Sequence, residues 1–265
     1  MSEDTQKIRL ITRADDAGSA RSADRAILEA IDCGIVRNVS LMAVGPSIEH
    51  AAALLAGRED VCFGLHATLN AEWSDVRWGP LTASNAVPSL VEKESGLFPH
   101  SPHFFAENPP KPEEMMRELQ AQLDRLRKLG FDIRYADTHM VFEWAVPAFV
   151  EPFERWCERE GIRPYRRYSR SLPEASSPNA GREEEKAALD LIARLNDAPA
   201  GQYLVVGHPA YDDEEMRRLG SPDYPAERVA ADRVRERLMF THPKVLACCE
   251  RLGVRPIRFN EAEPL

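Results

Sequence analysis

Nowhere in this chain do about 18 apolar residues run together, the length a membrane helix needs, so no span is expected. Cysteine is scarce and odd in number: Cys33, Cys62, Cys157, Cys248 and Cys249 form no C-x-x-C pair, which removes zinc knuckles and redox pairs and leaves five thiols read as reduced. Positive charge is short as well. Lys and Arg total 34 against 43 Asp and Glu, a net charge of −9, so no long-range field gathers nucleic acid or anionic lipid. Also missing are a G-x-S-x-G elbow, a Walker loop and a G-x-G-x-x-G turn after the first apolar run. Serine acyl transfer, P-loop phosphoryl transfer and dinucleotide binding therefore lack their devices. Residues 1–7 are polar, with no apolar stretch behind a basic start, and the expectation is a cytoplasmic protein.

What remains is a globular balance of 43% hydrophobic and 29% charged residues over 265 positions, enough to bury one large core. β-like runs at 8–13, 36–44, 61–67, 133–138, 163–167, 203–207 and 255–259 alternate with helix patterns at 22–33, 47–55, 112–129, 146–160, 182–195 and 226–252. Such alternation builds parallel βαβ units, and about 250 residues is the usual size of one α/β barrel. The fold expected is thus α/β with about seven parallel strands in a single domain, 1–265. Gly34, Gly130, Gly161 and Gly253 stand just past helix patterns, where a left-handed cap is wanted, and Thr241-His242-Pro243 should break the last helix. Two segments depart from the alternation. Residues 72–112, rich in proline and aromatics, read as a rim or lid insertion, and the Ser/Pro-rich 169–181 as a surface loop.

The chemistry-bearing residues fall at the C-terminal ends of these strands, where parallel sheets and barrels gather catalytic groups. Asp15 and Asp16 follow the first run, His66 ends the third, Asp137 and His139 end the fourth, and His208 follows the sixth. A carboxylate with two imidazoles is a frequent ligand set for a catalytic divalent metal. Taken singly, Asp15-Asp16 also suits a helix cap, His66 a hydrogen-bonded rim residue and His208 a turn before Pro209. Asp137, two residues before His139 on the same strand face, is placed to orient it or to meet substrate. His208 could donate a proton near neutrality. His50, His100, His103 and His242 lack the strand-end placement.

Arg13-Ala14-Asp15-Asp16-Ala17-Gly18, Gly64-Leu65-His66, Asp137-Thr138-His139-Met140 and His208-Pro209, in this order, resemble the YdjC-like carbohydrate deacetylases. The resemblance implies a distorted (β/α) barrel related to the polysaccharide deacetylases, a divalent metal, magnesium first and zinc or another transition metal second, and an N-acetylated sugar as substrate. Carried over residue by residue, it makes Asp16, His66 and His139 the metal ligands, Asp15 the catalytic base and His208 the general acid. Arg13, Asp137 and Arg166 are expected to meet the substrate, and a homodimer is compatible with this reading. Family members often carry Asn where this chain has Arg13 and a bulky residue where it has Ala17, and the chitooligosaccharide branch has further histidines where Met140, Val141 and Phe142 stand. The alternatives are a metal-dependent hydrolase of another small amide or ester, and a sugar-binding barrel without catalysis.

Overall fold

The first strand, β1 (Ile8–Ala17), divides the interior by its alternation. Leu10 joins the large core between sheet and helices, whereas Ile11 joins a smaller cluster on the concave face with Cys62, Tyr135, Ile257 and Phe259. In this computed structural model, which describes residues 8–168, 170–176 and 181–265, the chain continues through α1 (Arg21–Asp32), β2 (Asn38–Leu41), α2 (Ile48–Leu55) and β3 (Cys62–Ala67). A long excursion carrying α3 (His103–Glu107) leads to α4 (Pro112–Lys128), β4 (Ile133–Thr138), α5 (Val150–Glu160) and β5 (Arg163–Pro164). Then come α6 (Lys186–Asp197), β6 (Gly201–Gly207), α7 (Ala226–Thr241), α8 (Pro243–Leu252) and β7 (Arg255–Ile257).

The seven strands form one sheet in the order β5-β4-β3-β2-β1-β6, and every pairing is parallel. β7 pairs with Arg9, Leu10 and Ile11, below the stretch of β1 that β2 takes from Arg13 onward. The curl closes irregularly: after β5 the chain returns to β6, where Ser171 bridges Leu204 and the Leu204 N–H donates to Arg170 O at 2.7 Å. This is the parallel α/β sheet that the alternation predicts, curled into the distorted barrel that the resemblance implies.

Local departures have local causes. Pro164 has no N–H for a ladder, and the run expected over 163–167 shrinks to two residues before a 3₁₀ turn at Tyr165–Arg167. Pro147 opens a 3₁₀ turn that delays α5 to Val150, and α6 starts at Lys186, after the like-charged Glu183–Glu185 turn. α7 and α8 part at His242, as Pro243 requires. Of the expected 169–181 loop, residues 169 and 177–180 lie outside the described residues.

The 72–112 excursion is sewn down. Gln122 of α4 exchanges hydrogen bonds with the Thr68 backbone at 3.1 and 2.8 Å, Glu118 accepts from Leu81 N and Thr82 N at 3.0 and 2.9 Å, and Glu114 accepts from Ser89 N at 2.8 Å. Its aromatics Trp73, Trp78, Phe98 and Phe105 are buried in the main core. Among the described residues no helix is long and apolar enough to cross a membrane.

Candidate metal centre and active site

Side chains on the concave face stack along each strand, with Ile11, Arg13 and Asp15 on β1 and Cys62, Gly64 and His66 on β3. Gly64 has no side chain because the Tyr135 ring occupies that space: a Cβ there would sit 2.3 Å from its carbons. Tyr135 thereby floors the site, its hydroxyl 2.9 Å from Ser40 Oγ. At the upper end of β1 the register against β2 slips between Ala14 and Ala17, and Asp16 takes φ 65°. Adjacent residues of a regular strand face opposite ways. The slip and the left-handed turn instead bring both the Asp15 and Asp16 carboxylates to the mouth, a conformation Asp tolerates better than most residues.

Asp16 Oδ1, His66 Nε2 and His139 Nδ1 form a triangle with edges of 3.4, 3.4 and 3.2 Å. Donors about 2.0–2.2 Å from a shared cation stand about 3.0–3.5 Å apart, between octahedral and tetrahedral angles. All three residues are buried, and Asp16 Oδ1 makes no hydrogen bond. Three donors facing one another with an orphaned carboxylate oxygen fit a divalent cation.

Behind each imidazole stands a carboxylate. Asp137 Oδ2 is 3.1 Å from His66 Nδ1, and Glu72 Oε2 is 2.9 Å from His139 Nε2. Each pair fixes the ring and leaves the opposite nitrogen for the triangle. Burial alone would lower the pKa of both histidines, but Asp137 and Asp15 hold His66 well above its ordinary value, and Glu72 and Asp16 hold His139 at about 9. Burial would likewise raise the Asp16 carboxyl, yet the charges of His208, His139 and His66 hold it well below the usual range. The cluster therefore favours positive charge at the triangle.

A second grouping, Asp15, His66 and Asp137, is already served. Arg13 grips Asp15 with both arms, Nε to Oδ1 at 2.7 Å and Nη2 to Oδ2 at 2.8 Å, while its Nη1 lies 2.9 Å from Asp137 Oδ2. Arg13 is itself buried, with its charge held by Asp137 and Asp15.

His208, just past β6, receives Glu236 of α7 twice: its backbone N–H and its Nδ1 lie 2.7 and 3.1 Å from Glu236 Oε2. Burial would raise Glu236, but His208 and Arg233 hold it at about 2, so it accepts only. The proton then sits on Nδ1, and Nε2 is left for the cavity. Arg233 spans the two halves, 3.3 Å from both Asp16 Oδ2 and Glu236 Oε2.

A cavity of about 550 Å³ gathers Asp15, Asp16, His66, His139 and His208. Arg13 lines it as well. Asp137 lies fully buried beneath His66 rather than His139, and Arg166 is exposed on the turn after β5 while its neighbour Tyr165 faces the cavity. Glu72, Arg233 and Glu236 do not stand out in the sequence. Glu72 opens a segment without periodicity, and Arg233-x-x-Glu236 resembles any solvated helical pair, although its spacing puts both on one face of the helix that follows His208.

Residues 9–251 match the family described as YdjC-like protein. A carbohydrate deacetylase of Geobacillus stearothermophilus is 30% identical over 260 residues, covering 95% of this chain and 96% of that protein. One from Mus musculus is 29% identical, covering 94% and 93% of the two chains. A crystal structure from Enterococcus faecalis, of a protein named for cellobiose-phosphate cleavage, superposes with a TM-score of 0.70 at 20% identity over 96% of this chain and 98% of its own, and shows the same fold. On the match across nearly its whole length, this chain belongs to the YdjC-like family.

Proposed function

We propose that this protein is a metal-dependent hydrolase that removes the acetyl group from an N-acetylated amino sugar. The observation that carries the reading is the Asp16–His66–His139 triangle flanked, in one cavity, by a carboxylate and an imidazole free of the triangle, in a chain whose relatives are named carbohydrate deacetylases. Asp16, His66 and His139 would hold the metal, which when bound polarises the acyl oxygen and acidifies a water. With two nitrogens among the three donors the set suits manganese, cobalt or zinc at least as well as the magnesium that the resemblance implies.

The chain's own residues do the rest. Asp15, held in one orientation by the Arg13 fork, has a second lone pair on each oxygen and accepts the proton of the attacking water. Arg13 acts through Asp15. Collapse of the tetrahedral adduct breaks the C–N bond, and His208 in its imidazolium form, with Nδ1–H engaged by the Glu236 carboxylate, delivers its Nε2 proton to the departing amine and is left neutral with its proton on Nδ1. Asp15 separates catalysis from mere binding. Purified protein loaded with Mn²⁺ should release acetate from N-acetylglucosamine or N,N′-diacetylchitobiose, and Asp15→Asn should lose turnover while keeping the metal. Absence of acetate release from either sugar by a fully metal-loaded protein would reject the reading.

A further inference from the structure

We propose that the amino sugar accepted here carries an apolar aglycone, an alkyl chain seated on Met140, Val141, Leu204 and Val206; this rests on the deacetylase reading of the same cavity. Among the described residues the exposed large hydrophobics are Met140 (37% exposed), Val141 (52%), Trp144 (51%) and Leu265, so all but Leu265 cluster just after His139. Met140 and Val141 have φ of 55° and 48°. For a β-branched residue such as Val141 that conformation is strained, and here it props an apolar side chain at the mouth instead of turning it inward.

Both residues line the cavity that holds the metal triangle. In the same cavity Leu204 and Val206, each half-buried, share one face of β6 and lead to His208. Most hydroxyls lining this cavity are already committed, Ser221 Oγ accepting from Tyr224 N at 3.2 Å. Thr138 Oγ1 donates to Glu143 at 2.5 Å, Tyr165 donates to Glu143 at 3.1 Å and Tyr224 donates to Asp232 at 2.5 Å. A second or third sugar would press its hydroxyls against aliphatic carbon with few groups to pair them, whereas an alkyl chain loses nothing there.

The test compares the n-hexyl and methyl β-glycosides of N-acetylglucosamine, both below micellar concentration, on the Mn²⁺-loaded protein by acetate release. A fully buried methylene is worth up to about fourfold, so partial burial of the hexyl chain should raise kcat/KM by about tenfold or more, mainly through KM. Val141→Asn and Met140→Asn, chosen because Asn tolerates a left-handed backbone, should cut the hexyl-to-methyl ratio to about twofold. Equal kcat/KM for the two glycosides, a ratio unmoved by both variants, or N,N′-diacetylchitobiose outpacing the hexyl glycoside would overturn the proposal and leave the deacetylase reading standing. If no sugar releases acetate, the deacetylase reading fails and calorimetric binding decides: tighter hexyl binding, lost in Val141→Asn, supports the apolar subsite, and equal binding removes it. A dimer in sedimentation that Val141→Asn dissociates would assign the patch to a second copy and likewise overturn the proposal.

Discussion

Replacing Glu72 by alanine should lower the affinity of the metal-free protein for Mn²⁺ by about 10- to 100-fold. The carboxylate lies 2.9 Å from His139 Nε2 and is only 14% exposed, so little of its effect is lost to solvent. A charged hydrogen bond of that kind contributes about 1.5–3 kcal/mol, and each 1.4 kcal/mol is about tenfold in a binding constant. Two causes are mixed in the alanine result: loss of a nearby negative charge, and loss of the acceptor that fixes the ring. Glu72→Gln separates them, because the amide oxygen can still accept from Nε2–H while the charge is gone. Its affinity should fall between wild type and Glu72→Ala. Calorimetric titration at neutral pH supplies the constants, with His66→Ala as the control that removes a donor outright. Equal losses in the Gln and Ala variants would leave only the charge effect, and wild-type affinity in both would refute the orienting role altogether.

Gly64→Ala should destabilise the fold by about 1–3 kcal/mol, because its Cβ would meet the Tyr135 ring at 2.3 Å; urea midpoints would show it, and Tyr135→Leu in the same chain should recover part of the loss. The Glu236 carboxyl, at about 2 when folded, lies below its unfolded value near 4.5, so its contribution to stability is present above about pH 4.5 and disappears as pH falls toward 2. Urea midpoints between those limits should flatten in Glu236→Gln, and an unchanged slope would deny the pairing with His208. His208→Gln should retain Mn²⁺ binding and lose turnover by about 10²-fold, with a smaller loss on an N-acetyl aryl amine, whose less basic leaving group needs less help; full activity would return this histidine to the role of a turn residue before Pro209.

Much of the fold was legible because its signals are local. Apolar runs alternating with helical periodicity gave seven parallel strands, and Pro243 marked the break between α7 and α8. The strand-end rule picked out Asp15, Asp16, His66, His139 and His208, which the fold gathers in one cavity, because a parallel sheet delivers every such end to the same rim. What escaped depends on contacts distant in sequence. Glu72 sits 67 positions from His139, and Arg233 is 217 positions from Asp16. The 72–112 segment reads as a rim or lid for want of periodicity, yet Trp73, Trp78, Phe98 and Phe105 are buried in the core and the buried α4 residues Glu114, Glu118 and Gln122 lie beneath it. Polar residues at helical spacing read as solvated until something is found to bond them.

The pairing of Asp15 with Asp16 shows why neighbouring residues in sequence can divide a task. In a regular strand one of them would face the helices, and a carboxylate buried there without partners would be costly. The bulge and the left-handed turn at Asp16 remove that penalty by sending both to the mouth, where two like charges would repel each other and blunt the metal site. Arg13 resolves the conflict. It binds both oxygens of Asp15 and lies against Asp137, offsetting the charge of both, while Asp16 keeps Oδ1 unbonded beside His66 and His139. Arg233 bonds only the outer oxygen of Asp16. Arg13 therefore engages Asp15 and leaves Asp16 Oδ1 unbonded, which is the difference the proposed roles of base and ligand require of two neighbouring carboxylates.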